Sequence, residues 1–141
     1  MSRKRFPSKR PGLGQRNTRQ RDVILDVICS ARGPLTPAGI LARAAKKIRG
    51  IGIATIYRTI KLLLEQERIS AVILPTGETR YEAHGLEHHH HFQCTRCGHV
   101  FCMDFCPFTK SGFARLPRGF RVESHSVTTY GKCPECAARR R

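Results

Sequence analysis

The chain has 141 residues, 40% of them apolar, and a formal net charge of +16. That length holds one ordinary domain or two small ones, and a core split in two is thin enough to need a metal or a partner chain. Such a charge points to a polyanion, nucleic acid first and a membrane surface second; no apolar run is long enough to span a bilayer or to act as a leading signal, so a cytoplasmic setting is expected, where seven cysteines serve metals before disulfides.

From Met1 to Arg21 there is no acidic residue, whereas Arg3, Lys4, Arg5, Lys9, Arg10, Arg16, Arg19 and Arg21 are all basic. Residues 1–16 read as a basic flexible arm that approaches DNA or simply solubilises the chain. Thr18 is a candidate N-cap for a helix over 19–31, with Val23, Ile24, Val27 and Ile28 on one face. Gly33-Pro34 ends it. Thr36-Pro37 starts a second helix, with proline where a missing N–H costs nothing. A third covers 54–67, with Ile56, Ile60, Leu63 and Leu64 inward. Three short helices joined by tight turns form a helix-turn-helix core.

Residues 69–74 and 79–82 flank Pro75-Thr76-Gly77-Glu78 and predict a β-hairpin, the wing of a winged helix over 17–84. His84-Gly85-Leu86 is a hinge. Residues 85–141 change character: Cys, His, Gly and Phe dominate. Strands are expected at 92–94 and 100–102 around a Cys-x-x-Cys-Gly turn, a short helix over 107–116, and a strand over 121–130. The fold class expected is α+β, an N-terminal winged helix followed by a small metal-binding domain.

Cys94-Thr-Arg-Cys97-Gly98 and Cys133-Pro-Glu-Cys136 carry the strongest chemistry. Each tight turn aims two sulfurs at one point, and two turns complete the tetrahedron that zinc prefers, a closed and hence structural site. Two unrelated thiol pairs are the alternative. His88-His89-His90-His91 lies just before Cys94. If extended, it sends His89 and His91 to one side and His88 and His90 to the other, so one segment serves two metal sites; a solvated polar strand is the alternative. Imidazole suits zinc, iron, nickel and copper alike. Thr55, Tyr57 and Arg58 stand at the start of the third helix, where recognition helices reach base edges; Tyr57 packing on the preceding helix is the competing reading.

Thr18-Arg-Gln-Arg21, Ile53-Ala-Thr-Ile-Tyr-Arg-Thr59, Arg80-Tyr-Glu82, the histidine run, Cys94-x-x-Cys97-Gly98, His125 and Tyr130-Gly131-x-Cys133 together resemble the ferric uptake regulator family from about Thr18 to Cys136. The resemblance implies a homodimer, joined through the C-terminal domain, that represses genes when loaded with metal. It implies Arg16 approaching the minor groove, Arg19 among the DNA-contacting residues, and Tyr57 and Arg58 on bases. It implies a structural Cys94, Cys97, Cys133 and Cys136 zinc and a sensory site near the hinge drawing on Glu82, His89 and His91. The family's histidine in the DNA-binding domain falls on Pro34, which cannot ligate, and a later acid falls on Cys102. A third site would use His88, His90 and His125, its acid missing or replaced by Thr109 or Ser111.

A thiolate at position 102 shifts preference from iron(II) or manganese towards zinc, so the regulatory metal is expected to be Zn2+ or Fe2+. Alternatively Cys102 and Cys106 form a redox pair, and Cys29 is a core residue. The reading is a non-enzymatic, metal-dependent repressor bound to a double-stranded DNA operator. Its rivals are a zinc module that binds nucleic acid without sensing, and a peroxide-sensing or redox regulator.

Overall fold

A computed structural model describes residues 15–108 and 116–139, with side chains from Thr18 onward in the first segment. Most of the predicted basic arm, the side chain of Arg16, and both Thr109 and Ser111 lie outside the described residues, as does most of the helix expected over 107–116.

Helix α1 spans Gln15–Cys29, so it starts before Thr18. No proline or glycine interrupts Gln15-Arg16-Asn17, and Gln and Arg are good helix formers. It ends two residues short of the expected Ala31: Ala31 N–H bonds Ile28 O, a tightened last turn. Helix α2, Pro37–Ala44, is capped by Thr36, whose hydroxyl accepts from Gly39 N–H at 3.0 Å. Helix α3, Ile53–Glu65, buries Ile56, Thr59, Ile60 and Leu63, spaced three and four apart on one face. Glu67 beyond its end holds a left-handed conformation, φ 50°, that lets Arg68 N–H reach Leu63 O at 2.9 Å.

Strands β1 (Ile69–Ile73) and β2 (Thr79–Ala83) pair antiparallel, with Gly77 at φ 84° in the connecting turn. The three helices close on Ile24, Val27, Ile28, Leu35, Ile40, Ala44, Ile51, Ile56, Ile60, Leu63 and Ile69. This is the helix-turn-helix with its wing.

A second sheet follows the turn at His84-Gly85, in the order β4-β3-β5. Strand β3 (His90–Cys94) lies antiparallel to β4 (Val100–Met103) and parallel to β5 (Thr128–Gly131). The strand expected over 121–130 is therefore only its last third plus Gly131. Among the described residues no strand pairs with 121–126, Val127 O accepts one bond from His91 N–H of β3 at 3.0 Å, and Val122 is 44% exposed, so alternation there does not mark a buried face. A short helix α4, Pro134–Ala138, begins within the second Cys-x-x-Cys, its proline in the first turn. The second core is small: Cys94, Cys133 and Cys136, flanked by Phe92 and Phe101.

Candidate metal centres

Among the described residues there are three clusters of donor atoms, each with its ligand atoms within 4.8 Å of one another. All seven cysteines are free thiols.

Cys94 ends β3, Cys97 sits in the β3–β4 turn, and Cys133 and Cys136 flank the first turn of α4. Gly98, φ 72°, completes the first turn, where Gly98 N–H bonds Cys94 O at 2.9 Å. Arg96 Nη1 binds the carbonyls of Cys136 and Arg139 at 3.0 and 2.8 Å, tying one turn to the other. Four sulfurs about 2.3 Å from a tetrahedral zinc stand about 3.8 Å apart. Cys97 Sγ and Cys133 Sγ are 3.9 Å apart. The backbone N–H of Cys133 points at Cys94 Sγ (3.4 Å) and pulls that thiol down to about 6. The residues fit a closed zinc site.

The second cluster joins Glu82 of β2 to His91 and Cys102 of the other sheet and to His89 just before β3. His91 and Cys102 are directly opposite on β3 and β4, so both side chains reach the same side. The Nε2 atoms of His89 and His91 are each 3.2 Å from a Glu82 carboxylate oxygen. Cys102 Sγ donates to Glu82 at 3.7 Å. Ligands of one tetrahedral zinc with nitrogen and oxygen donors sit at about this spacing, roughly 3.3–3.5 Å. Burial drives the Glu82 pKa up, but the hydrogen bond from His91 and the charges of His89 and His91 outweigh it, leaving the carboxyl below its usual range. Burial, then the adjacent Glu82 charge, pushes the Cys102 thiol up to about 12. Pro34, the position of the family's additional histidine, is buried.

On the opposite side of β3, His88, His90 and His125 gather with Cys106. His88 Nε2 lies 3.1 Å from His90 Nε2, and Cys106 Sγ lies 3.2 Å from His125 Nε2. His90 is 3% exposed, and its Nδ1 has no hydrogen-bond partner. Burial, then its neighbouring histidines, lowers the His90 pKa. The expected alternation of the histidine run is thus observed. Cys106 is the member that sequence reading missed. It faces His125 while Cys102 faces Glu82, so the two do not face each other as a redox pair. No local spacing announces Cys106, since His125 reaches it from 19 residues away.

Thr55, Tyr57 and Arg58 stand in the first two turns of α3. Tyr57 is 56% exposed rather than packed on the preceding helix. Arg58 Nη2 donates to Thr55 Oγ1 at 3.4 Å, and Arg19 is exposed on α1. An open cleft of about 250 Å³ lies between α1 and α3, lined by Gln20, Arg21, Thr55, Arg58, Thr59 and Leu62. No helix among the described residues is long and apolar enough to cross a membrane.

Residues 12–130 match the model of the Ferric uptake regulator family. A ferric uptake regulation protein of Staphylococcus epidermidis is 32% identical over 124 residues, 87% of each chain. One from Campylobacter jejuni is 29% identical over 127 residues, 87% of this chain and 80% of its own. Among solved structures, a zinc-bound manganese uptake regulator superposes with a TM-score of 0.71 at 29% identity, over 81% of this chain and 87% of its own. These relatives differ in the metal they are named for, and what they share is metal-responsive transcription regulation rather than catalysis. The chain belongs to the ferric uptake regulator family.

Proposed function

We propose that this regulator is a zinc-responsive repressor that binds an operator in double-stranded DNA as a homodimer joined through its C-terminal domain, in the cytoplasm. One observation carries the reading: Glu82, on the wing, meets His89, His91 and Cys102, which lie beyond the turn at Gly85. A cation held there by four side chains ties the wing to the second sheet. If the tied arrangement is the one that spaces two recognition helices for the operator, cation binding shifts the population towards it. The thiol of Cys102 favours zinc over iron(II), which remains the second choice. Cys94, Cys97, Cys133 and Cys136 hold a structural zinc, and His88, His90, His125 and Cys106 form a third centre. Arg16 approaches the minor groove and Arg19 contacts the DNA, while Thr55, Tyr57 and Arg58 read bases.

Operator affinity measured by fluorescence anisotropy during titration with zinc, iron(II) and manganese(II) tests this. Zinc is expected to tighten binding most, and Cys102→Ser to reduce that advantage. Equal affinity with and without metal sinks the sensing reading. The strong positive charge supports one rival, a zinc module that binds nucleic acid by charge alone. Arg58→Ala separates the two: base readout predicts a loss of about 1–3 kcal/mol at the preferred site only. A uniform loss over all sequences favours the module.

A further inference from the structure

Glu82 and Cys102 belong to different sheets, yet the backbone next to each is held by the same four residues between α1 and α2. Leu35 and Tyr81 exchange both backbone hydrogen bonds, each 2.9 Å, immediately before Glu82. Three residues earlier, Arg32 O accepts the backbone N–H of Cys102 at 2.9 Å. That bond falls on the outer edge of β4, which has no other strand beside it among the described residues. Between the two attachments the chain is tightly enclosed: Gly33, Pro34 and Leu35 are all buried.

Gly33 is the residue that permits this. A Cβ at that position would stand 2.1 Å from Val100 O and 2.8 Å from both Val100 C and Phe101 Cα. The obstacle is backbone, not a side chain that could swing away. Space is the reason for glycine here, since its φ lies outside the left-handed region. Arg80 adds a parallel tie, donating to Gly98 O at 2.9 Å while paired with Glu78.

We infer that Arg32–Leu35 is a positioning bracket that presets the distance between the Glu82 carboxylate and the Cys102 thiol. The DNA-binding region thereby shapes the metal centre through main-chain bonds as well as through the Glu82 side chain. The inference deepens the proposed sensing role and rests on it. Linkage makes it reciprocal: a cation that draws Cys102 to Glu82 tightens the bracket, and a bracket already closed raises affinity for the cation.

Cobalt(II), titrated into protein whose four-cysteine site holds zinc and whose Cys106 is replaced (Cys106→Ser in every variant), provides the test, because the cobalt–thiolate absorption then reports the Cys102 centre and no DNA is needed. Gly33→Ala is expected to weaken cobalt binding at the Cys102 centre at least tenfold with the four-cysteine zinc retained. Amide hydrogen exchange gives a metal-free readout: in the wild type the Cys102 amide is expected to exchange slowly, and Gly33→Ala to accelerate it. Glu82→Gln should weaken cobalt binding and leave that exchange slow, separating loss of a ligand from loss of the bracket. If Gly33→Ala does not fold, wild-type exchange still decides: an unprotected Cys102 amide overturns the bracket. So does wild-type cobalt affinity in Gly33→Ala. Failure of the sensing reading would look different, as metal-independent operator binding by the wild type.

Discussion

The two halves of the chain hold together by different chemistry. The first encloses eleven buried apolar residues, seven of them isoleucine, from α1, α2, α3, β1 and the turns between. Among its described residues the second has a cluster of three buried cysteines with two phenylalanines against them, and a buried Val100. Burying a large aliphatic side chain contributes about 1.5–3 kcal/mol, so the helical half has a driving force of its own. The described residues of the sheet half supply no core of that size, so its compactness is expected to depend on what its thiols and imidazoles bind. On the proposed reading, a helical half with its own core is joined to a sheet half whose order is expected to depend on metal.

The largest test of that contrast removes zinc. Structural zinc contributes about 10–16 kcal/mol of apparent binding energy in small metal-folded domains. A strong chelator, or Cys94→Ser, is expected to unfold residues beyond 86 and leave the three helices folded. Limited proteolysis with amide NMR would show it, and cooperative loss of both halves would break the comparison. Ile56→Ala should do the converse. A fully buried isoleucine lost to alanine costs about 2–5 kcal/mol, read as a lower denaturant midpoint of the helical half at unchanged zinc content.

A third prediction concerns protons. The Cys102 thiol, pushed up to about 12, is protonated at neutral pH and must give up its proton to a metal. Glu82, held below the usual carboxylate range, has already lost its own. Affinity at that centre should therefore rise about tenfold per pH unit through the displaced Cys102 proton. Competition titrations at pH 7 to 9 read the slope, and Cys102→Ser should remove that contribution. An identical slope in the variant would take Cys102 out of the centre. The smallest effect is local: Glu67→Gly, relieving a left-handed residue at the end of α3, should stabilise the helical half by about 1 kcal/mol in thermal unfolding.

The features legible in the sequence were those written in short spacing. The hairpin announced itself by two β-rich runs around Pro75-Thr76-Gly77. The paired cysteines declared a shared turn geometry, and the histidine run required only that a strand alternate its faces. What was not legible depends on chain brought from afar. Strand β5 pairs parallel with β3 across more than thirty residues, and Cys106 has meaning only once His125 lies beside it. Gly33 read as a helix breaker, because Val100, its reason for lacking a side chain, lies 67 positions on. Helix α4 was hidden inside a motif already explained by its cysteines.

Residues 88 to 94 supply His88 and His90 to one centre, His89 and His91 to another, and Cys94 to the third. A slip of one residue in the pairing of β3 would exchange the two histidine sets and turn every donor away from its companions. Register is therefore part of metal selectivity, guarded on one side by β4 and on the other by β5. Filling any one centre pins this short segment for the other two. Metals that never touch should then bind cooperatively, with the first arrival meeting the entropy of ordering the segment and later ones meeting less of it.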